Sequence, residues 1–137
     1  MPIGRAASVR RARLFATVAV GLDLLAAALV ASVGPRPTVA LAALAPPAGL
    51  IGIVAPVIGY RLYLYLGETS VRPLGERFVV ATSAALGITA GAAALGILAF
   101  FVSNRPAALI GLVTHVLLAG ALWPSSERLE SFDREAA

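Results

Sequence analysis

Four long apolar stretches alternate with short polar connections along the chain. They cover residues 14–33, 38–60, 78–102 and 107–123, and they are 17 to 25 residues long. A helix of about 20 apolar residues crosses the hydrocarbon core of a bilayer, which is about 30 Å thick. The pattern therefore predicts an all-α integral membrane protein in which four antiparallel transmembrane helices form two hairpins.

Tight turns are predicted at residues 34–37 and 103–106, because each contains proline, which fixes φ and disfavours a helical residue before it. The Val, Arg and Pro spacing repeats there with an offset of 69 residues. The repeat indicates either a duplicated hairpin or the general preference of short turns for proline and arginine. The predicted organisation is a basic N-terminal segment, one transmembrane domain and a charged tail expected to be a frayed helix or irregular: 1–13, 14–123 and 124–137.

Composition supports the membrane prediction. The 137 residues are 59% hydrophobic and 13% charged, whereas soluble domains are about 45–50% apolar and about 25% charged. The chain has no cysteine, which excludes disulfides and thiol chemistry. The net charge of +4 does not indicate nucleic-acid binding, because no basic face alternates with aromatic residues. Membrane lipid is the partner that this composition implies.

The arginines predict the orientation of the chain. Two of them, Arg36 and Arg105, fall in the predicted outer turns, and nine fall at the other ends of the helices: Arg5, Arg10, Arg11, Arg13, Arg61, Arg72, Arg77, Arg128 and Arg134. Cytoplasmic loops carry the excess of basic residues, so both termini are expected in the cytoplasm of a multi-pass plasma membrane protein. The first apolar stretch could instead be a secretory signal, but its length and its central Asp23 favour an uncleaved span.

Asp23 and His115 are expected at similar depth near the bilayer centre. Asp23 lies ten residues after Arg13, and His115 is the ninth residue of the seventeen-residue fourth stretch. Intramembrane ionisable residues usually face the bundle interior or water and find a partner. The pair is therefore expected to share a proton instead of carrying two full charges. Three interpretations stay open: a structural bond that fixes helix order, a proton or ion relay, and no contact at all.

Thr89 and Thr114 belong to the same predicted layer and are further candidates for ligand or proton binding. Thr89 is near the centre of the third stretch, and Thr114 precedes His115. No group of metal-ligating residues is apparent. The single histidine cannot give bis-histidine haem ligation within one chain, so no cofactor is predicted.

Three prolines predict irregularity in the second span. Pro46, Pro47 and Pro56 cannot donate a backbone hydrogen bond, so each is expected to kink a helix. The carbonyl of Gly52, four residues before Pro56, is then left without its helical donor. The alternative is that the helix begins at Pro47, with residues 38–45 forming a separate re-entrant or interfacial segment.

Small residues predict where helices pack closely. Gly87 and Gly91 form a GxxxG motif, and Gly111 lies on a small-residue stripe with His115. The motif could serve a contact within the bundle or a dimer face.

No enzyme motif is present: the sequence has no nucleophile elbow, HExxH, Walker loop or GxGxxG. The first functional hypothesis is a non-enzymatic subunit that packs against other membrane helices, either copies of itself or other subunits. The alternative is a small oligomeric transporter or channel that uses Asp23 and His115 for proton or ion coupling. The chain resembles the small multidrug transporters in its four-span size and in its carboxylate in the first helix, although here that residue is Asp and the residues around it do not match.

Overall fold

The computed structural model describes residues 4–135, and within that range the chain is helical and contains no strand. Two of the helical segments are short 3₁₀ turns that lead into the helices after them. The five α-helices and the two 3₁₀ turns are α1 Arg5–Val33, 3₁₀ Val39–Leu44, α2 Ala45–Thr69, α3 Leu74–Ser103, 3₁₀ Pro106–Leu109, α4 Ile110–Ala121 and α5 Ser126–Glu135.

Three helical segments are long and apolar enough to cross a membrane: Arg5–Val33, Val39–Thr69 and Leu74–Ser103. Pro106–Ala121 is long and apolar enough to cross a membrane only when it is counted together with α5, and the chain bends by 88° between the two segments. The predicted all-helical class is therefore confirmed, with three or four helices of spanning length.

The long helix α3 is the centre of the bundle and contacts α1, α2, α4 and α5. By contrast, α1 and α2 do not contact each other within the described chain. The turn between them explains this, because the N–H groups of Arg36 and Thr38 bond to the carbonyls of Phe101 and Val102 at the end of α3. The predicted first hairpin is thus an open one whose two helices pack on α3.

Two of the three prolines lie at the start of α2 and not inside it, which differs from the prediction. Pro46 and Pro47 lie in the first turn of α2, where a missing N–H breaks no helical bond. They mark a change from 3₁₀ to α geometry instead of a break inside an α-helix. The α-helix begins at Ala45, two residues before the start that the alternative gave, and Val39–Leu44 precedes it as a 3₁₀ segment. The two segments form one continuous helical run, Val39–Thr69. Pro56 lies inside α2, as expected.

The tail forms helix α5, which agrees with the helical alternative of the prediction, but its end is packed instead of frayed. Its Leu129 and Phe132 are buried, and the Phe132 ring lies 5.0 Å from that of Tyr63 and 5.5 Å from that of Phe78. The hydroxyl of Ser125 accepts the N–H of Arg128 at 3.0 Å and caps the first turn of α5. Helix α5 therefore closes one end of the bundle.

Candidate functional site

Asp23, Thr89 and His115 lie together where α1, α3 and α4 meet, and we call them the polar layer. His115 Nε2 is 3.5 Å from Asp23 Oδ2. His115 Nδ1 is 2.8 Å from Thr89 Oγ1. The structure thus brings together three of the four polar residues that the sequence placed at this depth.

Small side chains let the three helices approach closely enough to form this layer. On α4, Gly111, His115 and Ala119 are the buried residues and follow one another at intervals of four. Ala119 packs in a cluster with Ala16 of α1 and Leu86 of α3. The layer is buried as a result: His115 has an exposed fraction of 0%, and Asp23 has one of 7%.

The Thr89 hydroxyl can donate its proton either to a backbone carbonyl or to His115. Thr89 Oγ1 lies 3.3 Å from the Ala85 carbonyl and 3.2 Å from the Leu86 carbonyl, besides its contact with His115. If this proton bonds a carbonyl, Nδ1–H of His115 donates to Thr89 and Nε2 turns a lone pair to Asp23. If it bonds Nδ1, Nε2 carries the proton and faces the carboxylate.

The contact between His115 and Asp23 is long for a hydrogen bond. N–H···O bonds are about 2.7–3.2 Å long, and neither Nε2 of His115 nor Oδ2 of Asp23 has a hydrogen-bond partner among the described residues. The two groups therefore interact through their charge or dipole. A shared proton would require a shorter contact.

Thr114 does not join the polar layer. It faces α2, where its hydroxyl donates to the Gly52 carbonyl at 2.7 Å. That carbonyl is the one that Pro56 leaves without a helical donor. A side chain of α4 thus replaces the hydrogen bond that the proline removes from α2, which is how a membrane helix tolerates proline in its interior.

Gly111 lies at a close helix crossing. A Cβ atom there would lie 2.7 Å from the Ala92 carbonyl oxygen of α3, and a Cβ on Gly52 would meet the backbone N of Gly111. Gly96 approaches the Ala108 carbonyl in the same way. Gly52 and Gly96 were missed as packing residues, although the small-residue spacing of Gly52, Ala55 and Gly59 along α2 is a signal that could have identified the first.

Gly87 and Gly91 point away from the bundle. Both are exposed, and no atom of the neighbouring elements lies within 4 Å of a Cβ built on either. The structure therefore does not have the contact within the bundle that the GxxxG motif could have served. We call these two glycines and the surface around them the α3 outer face.

An open apolar groove of about 370 Å³ runs beside this face, between α2 and α3. Gly91 lines it, and neither Asp23 nor His115 does. The other lining residues are Leu50, Ile51, Val54, Ala55, Ile58, Ile88, Ala92 and Leu95.

Within residues 4–135, no group of three or more His, Cys, Asp or Glu side chains is placed so that it could hold a metal ion. Comparisons with protein-family models, curated proteins and solved structures found no match to this chain. The arrangement offers one buried contact between a carboxyl group and an imidazole and one open helix face, and these two features are the basis for a functional proposal.

Proposed function

We propose that the chain is a non-enzymatic, multi-pass membrane subunit that associates with a second copy of itself through the α3 outer face. The observation that carries this proposal is the open space above Gly87 and Gly91. At the inner helix crossings, backbone atoms of a neighbouring helix occupy the space that a Cβ on Gly52 or Gly111 would need. Gly87 and Gly91 have the same small-xxx-small spacing, and no atom of a neighbouring helix in the described chain lies within 4 Å of a Cβ built on either.

Physical chemistry favours a helix as the occupant of this face. Lipid tails are as apolar as leucine, so helices associate in membranes through close packing and not through burial of apolar surface. Two glycines one turn apart allow backbones to approach closely and permit Cα–H···O contacts. Copies of one chain insert with the same orientation, so two α3 helices can pair in parallel about an axis along the membrane normal. The face is uncharged and self-complementary in such a pair.

Fluorescence energy transfer between labelled copies in liposomes tests this proposal. Replacing Gly87 and Gly91 by Leu fills the face, and we expect at least a tenfold loss of self-association with little change in thermal stability. Gly21→Leu is the matched control, because Gly21 is exposed on α1 and a Cβ added there would also have no neighbouring atom within 4 Å. Unchanged association of the Gly87→Leu/Gly91→Leu protein would contradict the proposal, and so would an equal loss in the Gly21→Leu control.

The proposal includes insertion in the plasma membrane with both termini in the cytoplasm. Its support is the lopsided distribution of arginines, since Arg36 and Arg105 are the two at the turn end of the bundle. Reporter tags at both termini should report the cytoplasm, and cysteine probes at positions 36 and 105 should be labelled from outside. A terminus found outside would contradict this orientation.

The contact between Asp23 and His115 favours one second candidate, a proton- or ion-coupled transporter. Carboxylate and imidazole pairs within membranes are components of proton relays. A relay also needs a route for water or ions, and the full burial of His115 argues against one in this conformation. We therefore rank the structural role first.

A further inference from the structure

A cavity of about 430 Å³ lies between the start of α1 and helix α5. Its polar lining includes Arg5 and Arg13 from α1 and Ser126 and Glu130 from α5, and its apolar lining includes Val9 and Leu129. It belongs neither to the polar layer nor to the α3 outer face. A cavity that joins two arginines to apolar side chains has the character of a site for an amphiphile.

The α1 side of this cavity is positively charged, through Arg5 and Arg13. The described part of α1 carries four arginines before Leu14 and no acidic residue before Asp23. Arg5, Val9 and Arg13 follow at intervals of four, so both guanidinium groups extend from one side of the helix. Arg5 makes no ion pair with any residue of the described range.

The guanidinium of Arg13 is already held in place. Its Nε and one terminal nitrogen donate to the Pro124 carbonyl at 3.2 and 3.1 Å. A guanidinium has five N–H donors, so three remain for a ligand. A fixed arginine loses less conformational freedom on binding, and its planar fork matches the oxygens of a phosphate.

We propose that this cavity binds the phosphate headgroup of an anionic phospholipid. The phosphate lies between Arg5 and Arg13, and the acyl chains leave along Val9 toward the apolar part of α1. Helix α5 is bent by 88° from α4 and lies across the end of the bundle, at the level where lipid headgroups meet a protein of this orientation. The site rests on the membrane insertion proposed above and is independent of pairing through the α3 outer face.

Lipid titration of the purified protein in neutral detergent tests the site. The probes are dioctanoyl phosphatidylglycerol, dioctanoyl phosphatidylcholine and glycerol 3-phosphate, and bound lipid is counted by native mass spectrometry. We expect phosphatidylglycerol to bind at least tenfold more tightly than phosphatidylcholine, and glycerol 3-phosphate to bind more weakly than phosphatidylglycerol. Arg5→Gln should weaken the binding of phosphatidylglycerol about fivefold, and Arg5→Gln/Arg13→Gln about 25-fold. Glu130→Gln should tighten it, since it removes a negative charge beside the phosphate.

Arg5→Gln is the decisive variant, because Arg13→Gln also removes the bonds to Pro124 and could disturb the fold. The matched control for Arg5→Gln is Arg36→Gln, which removes one positive charge at the other end of the bundle, and Arg36→Gln/Arg105→Gln is the control for the double variant. Equal affinity for the two lipids, unchanged binding in Arg5→Gln, or an equal loss in the matched control would overturn the proposal. Equal affinity for glycerol 3-phosphate and phosphatidylglycerol would overturn it too, because the site would then bind free phosphate esters.

Discussion

Two faces of α3 differ in whether another part of the described chain packs against them. Toward the bundle, Thr89 and Gly96 are buried against α4 or the 3₁₀ turn that leads into it. Toward the outside, Gly87 and Gly91 meet no other part of the described chain. The same helix therefore completes its contacts on one side and leaves them incomplete on the other.

The difference shows that glycine alone does not identify an internal helix contact. Both faces have small residues at intervals of four, and only the inner face has a backbone opposite them. The inner face also carries the polar hydroxyl of Thr89, which is satisfied inside the chain. We infer that the inner face fixes the fold and that the outer face is available to a partner helix. The following substitutions test that division, in order of decreasing effect on stability.

Gly111→Ala should have the largest effect on the inner side. Its Cβ would lie 2.7 Å from the Ala92 carbonyl oxygen, so α3 and α4 must separate. Overpacking of this kind costs about 1–3 kcal/mol, and we expect a loss of about 3 kcal/mol in the free energy of unfolding in detergent. Gly91→Ala is the matched control on the outer face and should cost less than about 0.5 kcal/mol. Similar losses in the two variants would abolish the distinction between the faces.

Asp23→Leu should have an intermediate effect. It removes the carboxylate that lies 3.5 Å from Nε2 of the buried His115. Because that contact is longer than a hydrogen bond, we expect a loss of stability at the lower end of the range of about 1–3 kcal/mol that an unpartnered buried polar group costs. Asp23→Asn keeps a polar group of the same shape and should retain most of the stability. Thermal unfolding in detergent compares the two variants. Equal stability of the Leu and Asn variants would show that the polar layer does not hold α1 in place.

Thr114→Val should have the smallest effect, and one that depends on Pro56. Hydrogen bonds between membrane helices average about 0.6 kcal/mol, so the variant should lose about that much stability. Pro56→Ala restores a backbone N–H that can bond the Gly52 carbonyl. In that background Thr114→Val should cost less, and a double-mutant cycle measures the difference. If Thr114→Val cost the same stability in the wild type and in the Pro56→Ala background, the result would contradict the view that Thr114 replaces the donor missing at Pro56.

The apolar pattern was sufficient to predict the helical class and the positions of the long helices. It left open whether the tail is a frayed helix or irregular and did not predict that α5 packs on the bundle, because Leu129 and Phe132 are two buried apolar residues in a segment otherwise dominated by charge. It also did not predict that α1 and α2 lie apart on α3. The lengths and order of spans do not encode which helices are neighbours. In the structure α1 and α2 each pack on α3, and the turn between them is bonded to the end of α3 through the N–H groups of Arg36 and Thr38.

Depth counting placed Asp23 and His115 at one level, and the structure has them in contact. The same counting could not predict that Thr89 contacts His115 whereas Thr114 bonds to α2. Thr114 precedes His115, and consecutive residues of a helix point in directions about 100° apart. Thr114 therefore faces α2 while His115 faces α1 and α3. Only the packing of the helices determines which of two polar neighbours enters the layer.

The central claim is that the polar layer is structural and that the chain acts through its outer face. Proton flux into liposomes tests it most directly, measured for the wild type and for Asp23→Asn beside thermal stability of both. An amide cannot release a proton, so Asp23→Asn would stop a relay without removing the polar contact. We expect flux no greater than that of empty liposomes for both proteins, with both folded. Robust wild-type flux that disappears in a stable Asp23→Asn protein would contradict the account.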